Sequence, residues 1–444
     1  MRKTLVLFVL LCTVVILAPG SSPQARVLTL DQALEIAIDV SPSVAIYRER
    51  LRTSRQDILS NYGRFVPNLS TSFYAGHTFI GPTQSIFIDP QGRPVQQTGQ
   101  DYENYRFSIN SSMMLFDWGA NVKYLNGAKK NSEASEYDLQ YQKDIVTAQV
   151  IRAYYELVRT KNLKVVQDEA FEAAKRNLEQ VEALFRIGSN TKADVLSAQV
   201  RLGNTQLALI TAQNNVELAR ANLASLLDLP MGEELDVDPS LEIREVNPDL
   251  DTEIDFMLNH RSDLIASRRR VAASNDNLTA TANSRWPTIA GAMSYSWSGR
   301  DFPDGANFFR NDYSWGLGVQ LEWPIFDRFQ TKADIQRAKA SRRVAEEELR
   351  QATLDAVLEV RQYYTVLKEA EERIRVSQET VAQASENLRL TEERYRVGAG
   401  TQLEAIESGA ALQEAQGNLV DAKCDYLIAR AELLRSTGRK VTTY

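Results

Sequence analysis

Apolar and polar positions give the chain two textures. Four short segments alternate strictly. In residues 313–323, Tyr313, Trp315, Leu317, Val319, Leu321 and Trp323 share one face, and Ser314, Gly316, Gly318, Gln320 and Glu322 share the other. In 105–115, Tyr105, Phe107, Ile109, Met113 and Leu115 alternate with Arg106, Ser108, Asn110 and Ser112. In 289–297, Ile289, Met293, Tyr295 and Trp297 oppose Ala290, Ala292, Ser294 and Ser296. The run 68–79 is weaker, with Leu69, Phe73 and Phe79 against Asn68, Ser70 and Ser72. A period of two predicts strands with one greasy and one polar face. The second texture is long and unbroken. Residues 120–187 hold one Gly (Gly127) and no Pro, and 327–397 hold neither; both are rich in Ala, Leu, Glu, Gln and Arg. These are strong helix formers, and at about 1.5 Å per residue each helix reaches on the order of 100 Å. Such lengths suit coiled-coil packing.

The pattern occurs twice. At an offset of 210, Tyr154 matches Tyr364, Asn177-Leu178 matches Asn387-Leu388, and "ARANL" (219–223) matches "ARAEL" (429–433). Nearer each repeat's start the offset is 220: Arg48 and Arg50 match Arg268 and Arg270, and "VPNLS" (66–70) matches "WPTIA" (286–290). The ten-residue difference falls between the paired strands, where an exposed loop absorbs it. A period this long is a duplicated structural unit and not a solenoid repeat.

The expected organisation follows. Residues 21–228 form a first repeat, with a helix over 29–65 that Thr29 caps and Pro67 ends, a strand pair within 67–116, a long helix over 120–187 and a returning helix over 191–228. The acidic stretch 229–258, with three Pro, links the repeats. Residues 259–438 repeat the plan, with strands within 287–324 and helices over 327–397 and 401–436, leaving 439–444 as a tail. Residues 1–20 fit a cleaved signal peptide: Arg2 and Lys3, an apolar run to Leu17, then Ala18-Pro19-Gly20. The competing readings are a membrane anchor, for which the run is short, and lipidation at Cys12, which Leu11 disfavours.

Past residue 20 no apolar run is long enough for a spanning helix, so any membrane crossing is made by strands. The alternating segments have the 10–12 residues that tilted spanning strands need, Tyr and Trp at their ends fit an interfacial girdle, and the small polar face suits a wet lumen. A soluble sandwich is the alternative. Four strands do not close a barrel, so a barrel requires several copies: two give eight strands, and three give twelve, enough for a passage. Pro- and Gly-bearing turns at Asp89-Pro90-Gln91-Gly92 and Pro303-Asp304-Gly305 place the outer loops in 80–104 and 299–312.

Composition narrows the function. The net charge of −7 gives no reason to expect nucleic acid as a partner. The two histidines, His77 and His260, and the two cysteines, Cys12 and Cys424, make no metal or redox spacing. Gly398-Ala399-Gly400 follows a helix, so it is no dinucleotide loop. No catalytic, cofactor or metal site is expected, and the chain is read as a non-enzyme.

Two interruptions of the helices match each other: "FRIGSNTKADV" (185–195) and "YRVGAGTQLEA" (395–405). With "LTLDQALEIAIDVSPSV" (28–44), "RFVPNLSTS" (64–72), "FDWG" (116–119), "RSDLIASRRRV" (261–271), "RWPTIAGAMSY" (285–295) and "WPIFD" (323–327), their order and duplication resemble the TolC-like outer-membrane efflux family. The resemblance implies an α+β membrane protein: a homotrimer whose twelve-strand β-barrel sits in the outer membrane of a Gram-negative bacterium and continues as a periplasmic α-helical tunnel. It implies partners as well, a periplasmic adaptor and an inner-membrane transporter, in a tripartite efflux or type I secretion system. The rival is a soluble periplasmic coiled-coil scaffold or adaptor.

The resemblance also implies where function concentrates. A docking motif Arg-x-Gly-x-x-Thr is matched by Arg186, Gly188 and Thr191 and by Arg396, Gly398 and Thr401. Acids that narrow the entrance are matched by Glu404 and Glu407, three apart and so on one helix face. A closed-state lock joining a Tyr and an Arg of the second turn to an acid of the first is matched at Tyr395 and Asp194. Gly400 stands at the Arg position, leaving Arg186 or Arg396 as substitutes. Local physics offers its own reading. Thr191-x-x-Asp194 and Thr401-x-x-Glu404 have capping-box spacing, so Glu404 is either a cap or a pore acid. Gly188 and Gly398 suit helix C-termini, and Arg186 and Arg396 suit the macrodipole there.

Overall fold

The structure is a computed structural model that describes residues 26–81, 86–88, 90–92, 94–96, 100–230, 235–243, 246–302 and 310–440. The signal segment 1–20, Pro303-Asp304-Gly305 and the tail from 441 lie outside the described residues. In chain order the elements are β1 (Arg26–Leu28), α1 (Leu30–Val40), α2 (Pro42–Tyr62), β2 (Asn68–Ile80), β3 (Ile86–Ile88), β4 (Pro94–Gln96), β5 (Gln100–Phe116), α3 (Ala120–Arg186) and α4 (Lys192–Leu226). They continue with β6 (Leu235–Val237), α5 (Leu250–His260), α6 (Ser262–Asn283), β7 (Thr288–Gly299), β8 (Tyr313–Glu322), α7 (Gln330–Arg396) and α8 (Gln402–Thr437). No helix among the described residues is long and apolar enough to cross a membrane.

Two expectations are corrected. The helix over 29–65 is broken at Ser41. Pro42 has no N–H to donate into a continuing helix and instead opens α2 near its N-terminus. Thr29 does cap the first piece, its Oγ1 accepting from Gln32 N at 3.4 Å. The linker 229–258 is also more than a tether. It contains β6, which pairs in parallel with β1 (Val27 opposite Asp236), and it contains most of α5. Lys161 Nζ fixes β6 by donating to Asp236 Oδ1 at 2.6 Å and to the Val237 carbonyl at 2.7 Å.

The chain forms two compact units that cut across the repeats. One comprises the chain up to Ala37, Val150–Ile243 and Arg373–Asp425; the other comprises Ile38–Gln149, Arg244–Glu372 and the chain from Tyr426. The first is helical with the β1·β6 pair. Leu157, Val158, Leu223 and Leu227 are buried in it, as is the free Cys424, whose thiol burial pushes up to about 11.

The second unit holds a four-stranded antiparallel sheet of order β2-β5-β7-β8. Ser72 lies opposite Ser108, Ser108 opposite Ser296, and Ser296 opposite Ser314. Because odd residues face odd residues across most of the sheet, the four sequence alternations merge into two continuous faces. Tyr295 lies over Tyr313 at 6.0 Å and near Phe107 at 6.5 Å on the odd face. Hydroxyls of Ser72 and Ser108, and of Ser296 and Ser314, meet at 2.8 Å on the even face. The register shifts between Met114 and Phe116, where β5 ends. β2 and β8 are edges, and every residue of β8 is exposed.

At the start of α6, Arg261, 5% exposed at its side chain, joins Glu359 at 2.5 Å and Asp263 at 2.9 Å, and Glu359 also meets Arg435. Burial alone would raise the Glu359 carboxyl, but the two guanidiniums outweigh it and hold it below its ordinary value.

Candidate functional site

The matched turns form the candidate site. At the first, α3 ends at Arg186 and Gly188 adopts φ 79°. Gly188 N donates to the Phe185 carbonyl and Ser189 N to the Leu184 carbonyl, both at 2.9 Å. This is a Schellman closure, and the left-handed residue it needs is costly with any Cβ. At the second turn Gly398 has φ 75°, with Gly398 N on the Tyr395 carbonyl at 3.1 Å and Ala399 N on the Arg394 carbonyl at 2.8 Å. The backbone device is the same in both repeats.

The returning helices then start from Thr191 and Thr401. Thr191 and Asp194 make a reciprocal box. Asp194 N donates to Thr191 Oγ1 at 3.3 Å, and Asp194 Oδ2 accepts from Thr191 N at 2.8 Å and from its hydroxyl at 2.7 Å. The Thr191 backbone bond, then its hydroxyl bond, lower the Asp194 carboxyl below its ordinary value. In the second turn Glu404 N donates to Thr401 Oγ1 at 3.2 Å, while the return bond from Thr401 N to Glu404 Oε2 is long at 3.5 Å. Glu404 therefore caps its helix loosely and leaves carboxylate capacity free. Glu407, one turn on, is exposed. Beneath the first turn Val181, Val195 and Ala198 form a buried cluster with Leu178 packed on it.

The turns are joined by a contact the spacing did not reveal. Tyr395 reaches the first turn through Asn190, whose Nδ2 donates to the Tyr395 hydroxyl at 3.2 Å. Asp194 is not the partner; its Oδ2 accepts from Thr191 instead. Nor does Arg186 or Arg396 supply the missing arginine; among the described residues neither makes an ion pair. Arg394 acts within the second turn: its Nη1 lies 3.9 Å from Glu404 Oε2 and its Nη2 donates to the Ala399 carbonyl at 3.2 Å. Arg394 and Glu404 also explain Gly400. A Cβ there would lie 3.2 Å from Arg394 Cβ and 3.2 Å from Glu404 Oε2. Asn190 and Arg394 carry no motif; only their turn-region positions could have singled them out.

Above the turns the four helix ends enclose a cavity of about 360 Å³, lined by Asn177, Gln180, Arg201, Glu392, Tyr395 and Arg396 among others. Ile187 and Val397, at equivalent turn positions, are 77% and 76% exposed. Each turn thus presents an exposed apolar residue between Arg and Gly.

Comparison with known proteins identifies the family of the chain. The family described as outer membrane efflux protein matches residues 33–228 and 254–439. The outer membrane protein TolC of Vibrio cholerae is 23% identical over 337 residues, covering 74% of this chain and 76% of that protein. The pyoverdine export outer membrane protein OpmQ of Pseudomonas aeruginosa is 22% identical, covering 92% of this chain and 85% of its own length. The outer membrane channel CmeC of Campylobacter jejuni superposes with a TM-score of 0.80 at 16% identity, over 92% of this chain and 85% of that one.

Proposed function

The chain belongs to the outer membrane efflux protein family, and from that membership we propose that it is the outer-membrane exit duct of a tripartite export system, built from three copies. The observation that carries this reading is the sheet: an apolar odd face, a hydroxyl-rich even face and two unpaired edges. In lipid each unpaired backbone group costs several kcal/mol, so β2 of one copy pairs with β8 of the next until the sheet closes. Three copies give twelve strands with the even faces lining a passage.

The helices continue the duct into the periplasm and end at the two turns, six in the ring. There Arg186, Gly188, Thr191, Arg396, Gly398 and Thr401 form the surface that a periplasmic adaptor docks on, bringing an inner-membrane transporter into register. Glu404 and Glu407 line the entrance. The Asn190–Tyr395 bond and the Arg394–Glu404 approach hold the turns in place, the role that sequence resemblance assigned to Tyr395 and Asp194. The same duct serves a drug-efflux or a type I secretion pump.

Single-channel recording in planar bilayers tests the entrance. Replacing Glu404 and Glu407 together with Ala should raise the concentration of a multivalent cation needed for block and change conductance. Unchanged block and conductance would remove both acids from the passage.

A further inference from the structure

The duplication is kept element for element. Adding 220 carries α1 (Leu30–Val40) onto α5 (Leu250–His260), and α2 (Pro42–Tyr62) onto α6 (Ser262–Asn283); adding 210 carries α3 (Ala120–Arg186) onto α7 (Gln330–Arg396). The hairpins obey the same arithmetic. Ser72 lies opposite Ser108, and their counterparts Ala292 and Gly318 lie opposite each other. Within one chain, β5 and α3 of the first repeat meet β7 and α6 of the second. The counterpart contact, β8 and α7 against β2 and α2, is left open. Ala266, Ala273, Asp276 and Ala280 are buried on α6, whereas their counterparts Ile46, Thr53, Gln56 and Ser60 on α2 are exposed.

We infer that a second copy of this chain closes this open contact in the register of the closed one, and that compensated side-chain exchanges on α2 and α7 specify that register. The inference rests on the duct reading and adds which residues meet at the seam. Glu133 pairs with Arg269 at 3.2 Å; the counterparts are Arg343 and Glu49, a pair with its sign reversed. Asp138 pairs with Arg270; the counterparts are Glu348 and Arg50, with the sign kept. Buried Asp276 is held by Lys123 at 3.1 Å and Lys130 at 2.6 Å; the counterparts are Gln56, Ala333 and Ala340, so the acid and both its bases disappear together. Gly127, where a Cβ would lie 2.6 Å from Asn277 Oδ1, becomes Arg337, and Asn277 becomes Asp57. Faces open to water have no reason to change in matched sets; faces that meet do.

The sign reversal also selects the partner. Setting Arg343 against Arg269, or Glu133 against Glu49, brings like charges together, so α7 is refused the place of α3. The corner beside the helices fits the same occupant. In the chain, Trp118 packs on Trp286 at 5.6 Å and its Nε1 donates to the Pro287 carbonyl at 2.8 Å. The counterparts are Arg328, Val66 and the Pro67 carbonyl. Near Arg328 lies an open cavity of about 420 Å³ lined by Pro324, Ile325, Phe326, Phe329 and Ile335 among others. Phe65 and Val66 of the second copy, exposed in the single chain, enter it. In the strands, Asn110 opposite Ser294 becomes Gln320 opposite Tyr74 of the second copy.

The test uses the full chain, extracted from outer membranes in detergent, with Cys424→Ser as background. Oxidising the pair Gln320→Cys and Tyr74→Cys should give reducible dimers and trimers on denaturing gels; the pair Gln320→Cys and Ser72→Cys, two residues out of register, should give none. Glu49→Arg and Arg343→Glu should each lower the temperature at which the oligomer dissociates in SDS, and the double change should restore it. Cross-linking of the shifted pair alone, or additive losses in the double charge variant, would overturn the register while leaving the duct intact. Light scattering that finds the parent protein monomeric in detergent would overturn the duct reading itself, and the register with it.

Discussion

The two turns share a backbone and differ in chemistry. Both end a 67-residue helix on a left-handed glycine and restart from a threonine. The first is closed on itself: Asp194 Oδ2 accepts both Thr191 bonds, and Asn190 is the group that reaches the other turn. The second is loosely capped, with Glu404 shared between Thr401 and a distant Arg394, and Gly400 leaving room for both. Duplication thus supplied two equivalent backbones, and divergence gave the first turn a tight cap and the second a loose one. Movement at the entrance is expected to begin at the second turn.

The sharpest break of the comparison is at the glycines. Gly188→Val or Gly398→Val forces a β-branched residue into positive φ at a cost of about 1–2 kcal/mol or more. Each should abolish most export in a drug-susceptibility assay while SDS-resistant oligomer persists. If the oligomer is lost instead, the turns serve folding alone.

The caps come next. Thr191→Ala removes a complete box and should cost about 1–2 kcal/mol of local stability, whereas Thr401→Ala should cost less. Hydrogen exchange in the first turns of α4 and α8 measures the two. The pH dependence separates them further. The Asp194 carboxyl is depressed in the folded state, so its contribution is present above its unfolded value near 4 and disappears as pH falls through the folded one. Exchange at the start of α4, corrected for intrinsic rate, should accelerate on acidification, and Asp194→Asn should flatten that response. A flat parent profile would contradict the box.

The smallest effect is expected at the link. Tyr395→Phe deletes the hydroxyl that Asn190 donates to, about 0.5–1.5 kcal/mol. Conductance in bilayers should rise modestly, and Asn190→Ala should reproduce it without adding to it. Additive effects would mean that the two residues act separately.

Much of the architecture is visible in residue order because it rests on periodic signals. Odd-even alternation in 313–323 marks β8, and the lack of Gly and Pro in 327–397 marks α7. What escaped depends on single residues or on distance. Pro42 breaks a helix whose composition alone reads as continuous. Lys161 brings β6 out of a stretch that reads as a linker, from 75 residues away. At the turns, motif spacing located the glycines and threonines because each acts within its own turn. Asn190 and Tyr395 are 205 residues apart and meet only after folding. Arg394 acts across a turn whose shape Gly400 decides.

The exposed β8 has a consequence before any duct exists. Leu317, Val319 and Leu321 are 76%, 71% and 63% exposed beside an unpaired strand edge. A chain in transit through the periplasm therefore carries the kind of edge that nucleates aggregation. With the three copies proposed above, ring closure is a race whose productive branch needs three chains, while misassociation can start with two. The yield of duct should accordingly peak at intermediate expression, and a holdase that covers residues 313–322 until delivery to the membrane should move that peak upward.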